Sequence, residues 1–173
     1  ITAVSNWGGT LGLTPVKIFY KGYYDHMEES HELLVSYGNE KIWDVLAENP
    51  RNRVVVFGEQ PEMLRFPCST QSYTDIEGSG GNFNLSSSPE ALAEFFTFAG
   101  VDHIYLGSGY LKPGTDGFRN VTGLLKQGYL SDLLYENGNG LAVFSPEPRE
   151  LSAEESEALL AEFTEKYWPG EQQ

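Results

Sequence analysis

Cys68 is the only cysteine in 173 residues. An internal disulfide is therefore impossible, and so is a zinc site built from several thiolates. The compartment stays open, because many extracytoplasmic bacterial domains carry no disulfide. Long apolar runs are missing too: no stretch approaches the roughly 18 to 20 residues of a membrane span. Basic residues are scarce, 11 against 25 acidic ones, for a net charge of -14. That field repels nucleic acid, phosphate-rich ligands and anionic membrane surfaces, and more simply keeps a domain soluble. Neither a G-x-S-x-G nucleophile elbow nor a G-K-[ST] phosphate loop occurs. The chain opens at Ile1 without a methionine, and the expectation is a piece cut from a longer protein.

What is present suits one packed domain. A hydrophobic content of 40% excludes wholesale disorder, and the length leaves no comfortable room for two cores. Residues 1–22 have no steady period and read as an irregular lead-in. A helix is predicted over about 25–37, stopped by Gly38, with Asn39 placed to cap a second helix in EKIWDVLAEN before Pro50. RVVVFGEQP (53–61) is a short β-branched run closed by turn residues, the pattern of a buried parallel strand. CSTQSYTDI (68–76) reads as a weaker strand, and GSGGNFNLSSS (78–88) as a polar loop.

Ser88-Pro89-Glu90 opens a helix that Gly100 ends, and VDHIYLG (101–107) follows as a strand, half of a β-α-β unit. FRNVTGLLKQGYL (118–130) is helical but weakened by Gly123 and Gly128. DLLYENGNGLAVFSP (132–146) is a hairpin turning at Asn137-Gly138-Asn139-Gly140. SAEESEALLAEFTEKYW (152–168) starts with a capping box and carries Leu159, Leu160, Phe163 and Tyr167 as its apolar stripe. The expected fold is α/β: a single three-layer Rossmann-like domain with a mixed, mainly parallel sheet and a C-terminal hairpin.

The chemistry-bearing residues mostly have plain structural readings. YYDHMEESHELL (23–34) holds His26 and His31 among four carboxylates. Five residues apart on a helix, the two histidines diverge by about 140°, too far to share an ion. The zinc-protease pattern spaces them by four, so a charged helix start is preferred to a metal site. His103 reads as a neutral histidine partly inside a strand and Cys68 as a small buried residue. Asp75, Glu77, Asn82 and Asn84 offer oxygen ligands without EF-hand spacing. Gly107-Ser108-Gly109 follows a strand, but Lys112 stands where a dinucleotide fingerprint needs its last glycine. Asn84-Leu85-Ser86 and Asn120-Val121-Thr122 match the glycosylation acceptor triplet. No catalytic residue, metal ligand or cofactor emerges.

The order of elements resembles the C-terminal extracytoplasmic domain of polytopic membrane glycosyltransferases of GT-C architecture. That group includes protein mannosyltransferases and bacterial arabinosyl- and aminoarabinosyl-transferases. The resemblance rests on G-x-x-P within Gly58 to Arg65 and on G-V-D-x-I-x-x-G in Gly100 to Gly107. It ends on the closing pair V-Y-E-N-G and V-F, matched by Leu134 to Phe144. It spans about residues 40–146 and leaves out the 78–88 loop and the acidic C-terminal helix.

It implies that residues 1–22 follow a membrane segment; the pattern of elements itself divides the rest into the α/β domain, 23–150, and an acidic C-terminal helix, 151–173, packed on the same domain. It also implies a parent in the cell membrane with this domain on the extracytoplasmic side, its own membrane part as partner, and a lipid-linked sugar donor. The catalytic aspartate of that family lies on an early loop outside this sequence.

The resulting expectation is a non-catalytic domain assisting acceptor or glycan binding, with a glycan or polyprenyl-linked sugar as ligand. In an open α/β sheet ligands sit at the carboxyl ends of the strands. That places Glu59, Gln60 and Tyr110 as candidate contacts, with the 78–88 loop as a lid. Trp7, Tyr23, Tyr24, Tyr73, Phe83 and Tyr110 are available to stack on sugar rings. Two alternatives remain: a free-standing α/β hydrolase or transferase using Asp75, Glu77 or Asp102, and a protein-protein interaction module.

Overall fold

The computed structural model describes Glu32 and residues 38–58, 64–78 and 85–167. Five strands form one sheet: β1 (Arg53–Phe57), β2 (Ser69–Ser72), β3 (His103–Leu106), β4 (Leu130–Glu136) and β5 (Asn139–Phe144). Their order is β2-β1-β3-β5-β4. β1 pairs in parallel with both β2 and β3, while β5 runs antiparallel to β3 and to β4. Four strands thus point one way and β5 alone runs against them. Helices cover both faces, and the molecule is a Rossmann-like α/β fold with a mixed, mainly parallel sheet.

The apolar run Val54 to Phe57 is buried throughout because it is central and covered on both sides. Alternation divides it between two cores. Val55 and Phe57 join Ile104, Leu106, Ala142 and Phe144 on one face. There they lie under α2 (Tyr73–Gly78), α3 (Pro89–Ala99), α4 (Asp116–Lys126) and α5 (Ala153–Tyr167). Val54 and Val56 join Tyr105 and Leu141 on the other face, packed with Ile42 and Leu46 of α1 (Glu40–Ala47).

Local chemistry sets the helix ends. In α3 the Ser88 hydroxyl accepts the Ala91 N–H at 3.2 Å, Pro89 fills the first turn, and Gly100 closes the end with φ +65°. In α5 Ser152 and Glu155 satisfy each other's backbone N–H groups at 2.8 and 3.2 Å, a complete capping box. Gly123 does not stop α4. A side chain there would run into the Pro89 ring of α3, so the glycine lets the two helices close together.

Three local expectations need correction. The segment 68–76 is a strand only as far as Ser72, and a helical turn begins at Tyr73. The hairpin turns on two residues, Asn137 (φ +48°) and Gly138 (φ +80°), and Asn139 and Gly140 already belong to β5. Asn39 stands at the N-cap of α1 but makes no capping bond with its side chain. Its Oδ1 lies 3.4 Å from the Tyr105 hydroxyl instead. The cap comes from far along the chain, because the Glu136 carboxylate accepts the N–H groups of Lys41 (2.9 Å) and Ile42 (3.3 Å). Asn137 adds a bond from Nδ2 to the Gly38 carbonyl at 2.9 Å. The predicted helix over 25–37 lies outside the described residues, apart from Glu32.

Glu136 therefore pins α1 to the hairpin, as an anion at a helix N-terminus should. Glu136→Ala is expected to lower stability by about 1 kcal/mol, the usual worth of a lost cap. Urea denaturation measures it, and an unchanged midpoint would show that water replaces the carboxylate at no cost.

Candidate functional site

From β1 the chain reaches β2 on one side, then crosses back through α2 and α3 to β3 on the other. The topology therefore reverses between β1 and β3, where the carboxyl ends of neighbouring strands leave a crevice. Gly58 and Gly107 stand at those ends. The Gly107 N–H donates to the Phe57 carbonyl at 2.8 Å. A Cβ on Gly107 would lie 3.2 Å from that oxygen, so a larger residue would press on the strand it follows.

The four residues after β3 are held from three directions. The Tyr110 N–H closes the turn on the Gly107 carbonyl at 3.1 Å, with Gly109 at φ +69°. The Ser108 N–H donates at 2.9 Å to Oδ1 of Asn139, a buried side chain of β5. The Tyr167 hydroxyl, at the end of α5, donates to the Gly107 carbonyl. Burial pushes the Tyr167 hydroxyl well above the ordinary tyrosine range, which keeps it protonated as a donor. Tyr110, partly buried, shares a 2.8 Å hydrogen bond between its hydroxyl and Thr74 Oγ1 of α2.

Two small clefts adjoin at Tyr110. One, of about 250 Å³, is lined by Gly58, Gly107, Ser108, Gly109 and Tyr110. The other, also about 250 Å³, is lined by Tyr73, Tyr110, Leu111, Thr115 and Gly117. Among the described residues neither lining contains a carboxylate, an amine, a guanidinium or an imidazole; those residues offer hydroxyl groups, backbone and ring faces.

Of the candidate contacts, Tyr110 lines both clefts, while Glu59 and Gln60 lie outside the described residues. So do Trp7, Tyr23, Tyr24, Phe83, His26, His31, Asn82 and Asn84. Tyr73 is not a free stacking ring. It is buried against Phe57 with centroids 4.2 Å apart, and its hydroxyl accepts Nδ2 of Asn120 at 3.1 Å. Asn120 is itself fully buried and donates to the Ser86 carbonyl at 2.7 Å, so its glycosylation triplet is closed in the folded protein. Asn139, Thr74 and Tyr167 escape sequence reasoning as parts of the site. Only the turn-forming NGNG tract and the end of the α5 stripe hint at them.

Two acids of the enzyme alternative, Asp75 and Asp102, stand apart. Asp75 is exposed on α2, just beyond the carboxyl end of β2. Asp102 precedes β3 at the opposite end of the sheet, where its carboxylate accepts the Arg53 N–H at 2.8 Å. Glu77 lies within the span of α2. Among the described residues no three metal-binding side chains cluster. Cys68 is half-buried, and its thiol is pushed up to about 12, first by burial and then by the charge of Asp102. It is held as the unreactive thiol.

His103 occupies the start of β3 beside Val54 and Val143, partly buried, with no hydrogen-bond partner for Nδ1 among the described residues. Burial lowers its pKa below the ordinary value, and Asp102 offsets this only in part. The unfolded imidazole, near pH 6.5, takes its proton before the folded one does. Stability is thus intact above about pH 6.5 and falls as the pH drops toward the lower folded value. Wild type should lose stability relative to His103→Leu between about pH 7 and pH 5, measured by denaturation at each pH. Parallel curves would show that the imidazole charges without penalty.

No family model matches the chain, and neither a curated protein nor a solved structure does. No helix among the described residues is long and apolar enough to cross a membrane.

Proposed function

We propose that this is a non-catalytic extracytoplasmic domain of a polytopic membrane protein of the GT-C glycosyltransferase type, and that its switch-point crevice assists acceptor or glycan binding. One observation carries the reading. The three segments on which the resemblance rests are far apart in sequence, yet all three reach the same crevice. Gly58 begins the first and stands at the end of β1, and Gly107 ends the second at the close of β3. The third turns at Asn137-Gly138 and delivers Asn139 to the Ser108 N–H. The third segment also pairs with the second directly, with Gly140 opposite Leu106 and Leu141 opposite Tyr105. Adjacent parallel strands bring Gly58 and Gly107 to one edge of the sheet, and the hairpin beside β3 returns the third segment to it.

The chemistry of the crevice agrees with a neutral, hydroxyl-rich ligand. It offers a tyrosine ring and backbone groups, and the net charge of -14 opposes a bare phosphate. The location is tested in cells by epitope-tagging the full-length parent and treating intact spheroplasts with protease. Cleavage of the domain from outside, with the remainder in the membrane fraction, is the expected result. A full-length product without membrane spans, or one protected inside the cell, overturns the reading. The purified domain should also turn over no glycoside, ester or nucleotide. A free-standing enzyme has less support, since Asp75 and Asp102 stand at opposite ends of the sheet.

A further inference from the structure

We infer that the crevice is a two-subsite cleft divided by Tyr110, built for at least two linked neutral sugar units. The inference rests on the glycan reading above and adds the size of the ligand. Each cleft has a volume of about 250 Å³, and Tyr110 lines both. A site that binds a small organic ligand specifically occupies roughly 300–1,000 Å³. Neither cleft reaches that range alone, but the two together do.

Their walls come from different elements. On the β1 and β3 side the lining is glycine and serine, exposed at Ser108 and Gly109, and suited to hydroxyl-to-backbone hydrogen bonds. On the α4 side Leu111 is buried and Gly117 brings the helix close. A Cβ there would lie 3.2 Å from the Tyr73 ring and 3.3 Å from Leu111. Leu111, Tyr73 and Gly117 are packed on one another there, so the surface left open on this side comes from Thr115 and Tyr110. Tyr110 is fit to be the divider because it is not free to swing: Thr74 holds its hydroxyl at 2.8 Å, and the turn fixes its backbone.

A single sugar filling one cleft meets few partners. A second, covalently linked sugar adds its contacts without a second loss of translational and rotational freedom, so the disaccharide gains disproportionately. Charge points the same way, since no cationic side chain among the described residues lines either cleft to receive an anionic group.

The test is a ¹H–¹⁵N titration of the whole 173-residue chain with mannose, mannobiose and mannotriose, with glucose, maltose and maltotriose in parallel, and with AMP as the anionic comparison. The expected result is binding of a disaccharide at least about tenfold tighter than its monosaccharide, with shifts at both Ser108–Gly109 and Leu111–Gly117. Thr74→Val, which frees the divider, should weaken disaccharide binding by about threefold to tenfold and leave the monosaccharide nearly unchanged. Equal affinity for monosaccharide and disaccharide, with shifts on one side of Tyr110 only, overturns the two-subsite inference and leaves the glycan reading standing. Silence at both clefts with all six sugars, or preference for AMP, overturns the glycan reading as well.

Discussion

Val55→Asp should yield no folded protein. Val55 is 1% exposed at the centre of β1, with Gln71 of β2 on one side and Ile104 of β3 on the other. Its side chain belongs to the cluster that includes Leu92 and Phe96 of α3, the helix that covers this face. A carboxylate there exchanges water for hydrocarbon with no cation to meet it. The penalty is several kcal/mol, on the order of a third or more of a typical domain's stability. Protonating the carboxyl lessens the cost but leaves a polar group without partners. Gln71→Asp is the matched control: it puts the same carboxylate on the neighbouring strand at an exposed position, where it should cost within about 0.5 kcal/mol. Circular dichroism and thermal melting separate the two. A Val55→Asp protein that melts like wild type would mean that β1 is not a buried interior strand.

β1 was legible because its signal is local: four consecutive apolar residues bounded by turn formers need no knowledge of their partners. The same holds for α3, whose serine cap, first-turn proline and terminal glycine lie within 13 residues, Ser88 to Gly100. What the sequence hides is whatever a distant residue decides. Tyr73 reads as an available aromatic in a weak strand, but Phe57 stacks on it and Asn120 binds its hydroxyl, so it starts a helix inside the core. Asn39 looks like an ordinary cap, yet Glu136 has taken its role from 97 residues away in the chain, by way of the hairpin. The site divides along the same line. Carboxyl-end glycines and Tyr110 follow from strand direction, a local inference. Asn139 and Tyr167 reach the crevice only because β5 lies beside β3 and because α5 returns over that face.

That return makes Phe163 the second decisive residue, and Phe163→Ala should cost about 3–5 kcal/mol. Phe163 is 0% exposed. Its ring stacks on Tyr167 at 5.5 Å and 8°, and meets Tyr135 of β4 at 6.5 Å. α5 has 15 residues, a length at which an isolated helix is marginal in water, so it needs this anchor to stay formed. Its polar ties near the N-terminal end are slight, an exposed Lys126–Glu157 ion pair at 3.4 Å and a bond from Ser156 Oγ to the Lys126 carbonyl at 3.3 Å, while Leu159, the buried Tyr167 and Lys166 over the Tyr135 ring help Phe163 hold the rest. Losing the ring thus loosens the helix as well as opening a cavity. The effect should also reach the crevice, because the Tyr167 hydroxyl is the bond by which α5 holds the Gly107 carbonyl. Amide exchange at Ser108, Gly109 and Tyr110 should quicken beyond what the global loss of stability explains. Tyr167→Phe separates the two effects: it keeps the stacked ring, removes the hydrogen bond, and should cost only about 1 kcal/mol. It should still speed exchange at those three amides. Phe163→Ala protein with faster global unfolding but an unaltered crevice would show that α5 braces the core and not the site.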